Sequence, residues 1–136
     1  MKKILFVASE AVPFIKTGGL ADVAGTLPKS FNKNEFDVRV VIPKYRAIPE
    51  HYRNQMKYRT HFYMDFAGES RYVGVMELEW GGIKFYFIDN EYYFYGDKPY
   101  EDGVWDLEKF AYFSKAALSI LPQVGFQPDV VHCHDW

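Results

Sequence analysis

Apolar residues gather in short blocks separated by polar or glycine-rich breaks, and the spacing inside the blocks changes along the chain. Ile4-Leu5-Phe6-Val7-Ala8 is an unbroken apolar run of strand length, so residues 2–8 are predicted as a buried strand. Leu20, Val23, Ala24, Leu27 and Phe31 then recur at helical spacing. They predict a helix from about Gly19 to Asn32, kinked or cut short at Pro28, which has no N–H to give the ladder. Phe36 to Ile42 reads as a second strand, its Val38, Val40, Val41 and Ile42 suiting a sheet covered on both faces. A strand–helix–strand unit of this kind is parallel and right-handed. Asn32-Lys33-Asn34 makes the turn before the second strand, and Asn34 tolerates a positive φ there.

Further on the period falls to two. Pro43 to about Gln55 is a polar loop with room for one helical turn, and Tyr58–Phe66, Tyr72–Glu79 and Ile83–Ile88 read as three strands. Trp80-Gly81-Gly82 is a hairpin signal between the last two. Tyr72, Gly74, Met76 and Leu78 alternate against Val73, Val75, Glu77 and Glu79, so one face meets solvent near that strand's end. Asp89 to Gly103 is irregular and aromatic. Leu107, Phe110, Ala111, Ala117, Leu118 and Leu121 mark the inner face of a helix from about Asp106 to Leu121, with Asp106 as N-cap and Pro122, Gly125 and Pro128 as stops. Asp129-Val130-Val131-His132 reads as a last buried strand. The predicted fold is α/β, a Rossmann-like half-domain with an antiparallel β-hairpin insertion.

Composition narrows the partners. A chain of 136 residues buries one core. A net charge of −2 offers nothing to a polyanion, so no nucleic acid is expected. No apolar run has the length of a membrane span, and the two lysines at the start lead into no secretory pattern. The single cysteine, Cys133, excludes an internal disulfide and fits a reducing compartment, so a cytoplasmic location is expected.

Candidate chemistry lies between the first strand and the first helix, in Lys16-Thr17-Gly18-Gly19-Leu20-Ala21-Asp22-Val23. A strand, a glycine turn and a helix aim unpaired backbone N–H groups beyond the strand end, where the helix dipole adds partial positive charge and Lys16 a full one. Glycine lets the backbone turn sharply and lets a ligand approach where a Cβ would intrude. The plain alternative is a strand–helix joint that binds nothing, common in doubly wound proteins, with Lys16 a solvated loop lysine. Neither G-x-G-x-x-G nor G-x-x-x-x-G-K-[ST] is present, which argues against NAD and ATP sites of those kinds.

A second cluster is His132-Cys133-His134-Asp135. In a strand His132 and His134 share one face and Cys133 takes the other. Adjacent residues rarely present converging metal ligands, so no metal is expected. The remaining reading of His132 and His134 is as core or near-core histidines satisfied by backbone. Tyr92-Tyr93-Phe94-Tyr95-Gly96, with Pro99-Tyr100, is either a sugar-stacking surface or ordinary packing; Tyr95 is the candidate cleft residue.

Ser9-Glu10, Pro13-Phe14, the string Lys16 to Val23 and Leu27-Pro28 together resemble the start of the bacterial glycogen synthases and plant starch synthases. These are ADP-glucose-dependent retaining glucosyltransferases of family 5, with the two-domain GT-B fold. Asn34-Glu35 departs from their pattern, which usually has a glycine just before the second strand. The resemblance implies glucose transfer from ADP-glucose to the non-reducing end of an α-1,4-glucan, without metal or other cofactor. It implies that Lys16 contacts the donor, with Gly18, Gly19 and Asp22 beside it, and that His134, Asp135 and Trp136 face the acceptor in the cleft. Residues 1–136 would then be an incomplete amino-terminal domain, with the second domain and most catalytic residues beyond Trp136 and no turnover by this segment alone. That the sequence stops at the carboxyl end of a strand, where open sheets bind ligands, agrees. A related GT-B transferase using UDP-glucose and a non-catalytic glucan-binding module are the alternatives.

Overall fold

The strands are β1 (Lys2–Val7), β2 (Phe36–Pro43), β3 (Lys57–Phe66), β4 (Glu69–Trp80), β5 (Ile83–Asp89) and β6 (Val130–Cys133). They make one sheet in the spatial order β3-β4-β5-β2-β1-β6, in a computed structural model that describes residues 1–101 and 103–134. β6, β1, β2 and β5 are parallel, with Phe6 opposite both Val40 and His132 and with Val40 opposite Phe85. β3 and β4 continue the same sheet antiparallel from β5, so the hairpin insertion widens the sheet. The inner parallel strands β1 and β2 are buried on both faces, as their unbroken apolar runs demand: Leu5, Phe6, Val40, Val41 and Ile42 are inaccessible to solvent.

Both hairpins turn on two residues with positive φ, Ala67-Gly68 and Gly81-Gly82, the geometry that matches the twist of the paired strands. The expected turn at Gly81-Gly82 is therefore observed. At Asn34 no positive φ is found; the Asn32 side chain instead accepts from the Asn34 N–H, and the Asn32 carbonyl from Glu35 and Phe36.

The helices are α1 (Gly19–Thr26), α2 (Glu50–Arg53), α3 (Glu91–Phe94), α4 (Val104–Ser119) and α5 (Leu121–Val124). α1 stops short of Pro28 and tightens into a 3₁₀ turn over Leu27–Ser30, the early end that the proline predicts. α4 is rotated from its expected seating. Leu107, Ala111 and Leu118 face outward, whereas Phe110, Tyr112, Phe113, Ala116, Ala117 and Ile120 are buried. The larger aromatic area wins the inner face, and with it goes Lys109, fully buried. The Lys109 ammonium donates to the Pro99 carbonyl at 2.7 Å and lies 3.4 Å from Asp106 and 3.5 Å from Glu101. Gly103, not Asp106, is the N-cap; the Asp106 carboxylate instead accepts from the Glu101 N–H.

β6 also differs from expectation. All four of its residues are exposed. It is an edge strand whose ladder partner is β1, and its apolar residues read as buried only if another element covers them.

Candidate functional site

β1, β2, β5 and β6 end at one edge of the sheet, and the chain leaving β1 there is tied down by buried anchors. Phe14, buried, packs edge-on against Phe85 and Phe87 of β5 at 5.0 and 5.1 Å, and against Tyr52 at 5.3 Å. The Val12 N–H donates to the Ala21 carbonyl of α1. A Cβ on Gly25 would lie 2.4 Å from the Val12 side chain and 2.5 Å from its carbonyl, so this close approach of helix and loop requires glycine.

Glu10 fixes the bend itself. It is 2% exposed, and its Oε2 accepts from the Thr17 N–H at 2.8 Å and the Thr17 hydroxyl at 2.5 Å. Thus a buried carboxylate, at the residue after Ser9, positions the residue before Gly18. Ser9 is held in turn: its carbonyl accepts from the Tyr45 hydroxyl at 2.6 Å, and its hydroxyl shares a hydrogen bond with that of Tyr100 at 2.5 Å. Burial pushes the Tyr45 hydroxyl well above the usual phenol range, keeping it a donor. Sequence reasoning assigned no role to Glu10, Tyr45 or Lys109. Only Glu10 left a signal, a carboxylate shortly before a glycine pair.

Gly18 is the N-cap of α1, with extended φ −163° and ψ −165° and no side-chain cap. Neither Gly18 nor Gly19 has a positive φ, so the bend does not draw on the left-handed freedom of glycine. A Cβ on Gly19 would meet nothing within 4 Å, and one on Gly18 only Glu10 at 3.9 Å. Within this chain neither glycine is required by packing, and the space in front of them is open.

Lys16 and Asp22 flank that space. Their charged groups are 2.8 Å apart, and both side chains are 53% exposed. An ion pair so exposed contributes about 0–1 kcal/mol and is readily exchanged for another partner. The structure therefore gathers Lys16, Gly18, Gly19 and Asp22 at one bend, where helix N–H groups and an ammonium favour an anion.

The other candidates are placed differently. His132 is exposed, not core, and its ring stacks on that of His134 at 4.4 Å, both lying against Phe6. Asp135 and Trp136 lie outside the described residues. Of the aromatic run, Tyr93 and Phe94 are buried and Tyr92 is exposed. Tyr95, half-buried after α3, has its hydroxyl raised by burial and by Asp89 and Glu91; among the described residues no hydrogen bond or ring contact joins it to the bend. No group of His, Cys, Asp and Glu suited to a metal ion occurs among the described residues, and no helix there is long and apolar enough to cross a membrane.

An open, mostly parallel sheet with a glycine bend and a helix start beyond the carboxyl end of β1 defines a Rossmann-like α/β unit. The chain belongs to the family of starch synthase catalytic domains, whose model matches residues 3–136. It is 67% identical over 136 residues to a glycogen synthase of Lachnospira eligens and 60% identical to one of Lachnoclostridium phytofermentans. Each match covers the whole of this chain and 28% of the relative, so the chain spans just over a quarter of their length. Among solved structures, the catalytic domain of starch synthase IV from Arabidopsis thaliana, bound to ADP and acarbose, is similar with a TM-score of 0.81 and 28% identity. The likeness covers 99% of this chain and 28% of that one.

Proposed function

We propose that the chain is the amino-terminal part of a two-domain GT-B glycosyltransferase that moves glucose from ADP-glucose to the non-reducing end of an α-1,4-glucan with retention, in the cytoplasm, without metal or nucleic acid. The observation that carries this reading is the anchored bend with Lys16 beside an open space. As the nucleoside diphosphate leaves, negative charge builds on its phosphates. Fixed N–H groups at Gly18 and Gly19, with the Lys16 ammonium, stabilise that charge in place. Both glycines fit this role, since packing within the chain requires neither and a ligand could approach the backbone closely. Asp22 holds Lys16 in the empty site and is released when the diphosphate takes its place.

His134, Asp135 and Trp136 face the acceptor on this reading, and residues 1–136 do not turn over alone because most catalytic groups lie in the second domain. Lys16→Ala in the full-length protein lowers kcat/KM for ADP-glucose by roughly 10²-fold or more. Unaltered kinetics would sink the reading. Faster turnover with UDP-glucose would shift it to a related transferase.

The exposed rings of Tyr63 and Tyr92 favour a second reading, a module that binds glucan without catalysis. It requires maltooligosaccharide affinity that is indifferent to Lys16→Ala, together with no turnover of any nucleotide sugar by the full-length protein.

A further inference from the structure

Lys109 places a full charge inside the protein. Its side chain is buried on the inner face of α4, one residue before Phe110. Taking an ammonium out of water is costly, and a buried ion pair is often no more stable than apolar side chains of the same volume. Stability therefore does not explain the residue. An ammonium can do what an apolar side chain cannot, which is to bond the main chain of a neighbouring segment, and here it does so. It donates to the Pro99 carbonyl at 2.7 Å, with the Asp106 and Glu101 carboxylates 3.4 and 3.5 Å away. Asp106 in turn accepts from the Glu101 N–H at 3.0 Å. The Glu101 side chain folds back over Gly96, where a Cβ would lie 1.9 Å from its Oε1.

Pro99 and Glu101 belong to the segment that joins α3 to α4, which has neither helix nor strand among its described residues. Bonds to α4 fix that segment on both sides of Tyr100. The Tyr100 ring packs against Phe110, with 5.6 Å between centroids, and its hydroxyl shares a hydrogen bond with that of Ser9 at 2.5 Å. Ser9 precedes Glu10, whose carboxylate holds Thr17 beside Gly18. Direct contacts thus run from Lys109 through the clamped main chain to Tyr100, then to Ser9, Glu10 and the bend. A second observation brings the same groups together. Burial first, and then Tyr100, Glu10 and Asp106, raise the Tyr45 hydroxyl that holds the Ser9 carbonyl. One buried patch therefore joins the anchors of the bend to the first turn of α4.

We propose that Tyr100 and Lys109 are positioning residues for the diphosphate-binding bend: Tyr100 sets Ser9, and Lys109 sets Tyr100 by clamping the main chain on either side of it. That the bend receives a diphosphate rests on the proposed function; the mechanical link from α4 to Thr17 does not.

Two measurements on the full-length protein separate them: amide hydrogen exchange at Thr17 without ligand, and kcat/KM for ADP-glucose. Tyr100→Phe keeps the ring on Phe110 and removes the hydroxyl. It quickens exchange at Thr17 and lowers kcat/KM for ADP-glucose, each about threefold to tenfold, while the KM for glucan stays at its wild-type value. Tyr93→Phe, which removes a hydroxyl bonded to Glu108 of the same helix, changes neither reading. Lys109→Met moves both readings further in the same direction, and adding Tyr100→Phe to it moves them no more, because the two residues act in series. Where Lys109→Met does not fold, Glu101→Ala, at an exposed residue, loosens the same clamp and gives a smaller change of the same sign; no change there overturns the part assigned to Lys109. Wild-type exchange at Thr17 in Tyr100→Phe overturns the link. Faster exchange with unaltered kcat/KM, or an equal rise in the KM for glucan, overturns the positioning of the donor bend. A full-length wild-type protein that does not use ADP-glucose defeats the proposed function instead, a result on which the exchange readings do not depend.

Discussion

The sheet ends twice at the same edge in two contrasting ways. The chain leaving β1 runs into a loop whose parts are fixed by Phe14, Glu10 and Gly25, all buried. The chain of β6, parallel and adjacent, is exposed at every residue although Val130 and Val131 are as apolar as the residues of β1. Apolar composition is a capacity for burial, and what covers the strand decides whether it is used. The difference also separates two kinds of strand end: the bend is held by buried anchors of its own chain, while Val130–Cys133 of β6 are left open.

Phe14→Ala should break the contrast most severely. It removes a ring in contact with four other aromatic side chains, and a loss of about 3–5 kcal/mol is expected from urea unfolding. Gly25→Ala forces a Cβ into Val12 and should cost about 1–3 kcal/mol, with the loop displaced from α1. Glu10→Gln puts an amide donor where Thr17 offers two, and a cost of about 1–3 kcal/mol should come with a raised KM for ADP-glucose.

A smaller effect, of opposite sign, is expected at Asp89. Its folded-state pKa is raised, so the native state holds the proton more tightly than the unfolded one. Stability then falls as pH rises through the interval from about 4 to the raised value. Asp89→Asn should therefore raise the melting temperature at pH 7, with the gain disappearing as pH nears 4. Val131→Thr on β6 should change stability by within about 0.5 kcal/mol; a larger loss in the 136-residue chain would show that β6 is covered after all.

Local pattern carried most of the fold. The first strand, the early end at Pro28, the glycine hairpin and the three later strands were legible because period and turn chemistry are properties of neighbouring residues. The seating of α4 was not, because Lys109 and Asp106 count as polar in any pattern and are buried only through partners at Pro99 and Glu101. Likewise Lys16, Gly18, Gly19 and Asp22 were legible as one string. Glu10 was not, since its function exists only once the loop folds back to bring Thr17 against it.

The pairing of Lys16 with Asp22 has a consequence for how the bend greets an incoming charge. If the bend receives the donor's diphosphate as proposed, Asp22 is already a stand-in for it, and binding would substitute one negative group for another. The departing carboxylate returns to water, and the ammonium is never left bare. Asp22→Asn would leave that seat vacant, and the site would then take up small anions of many kinds with less discrimination.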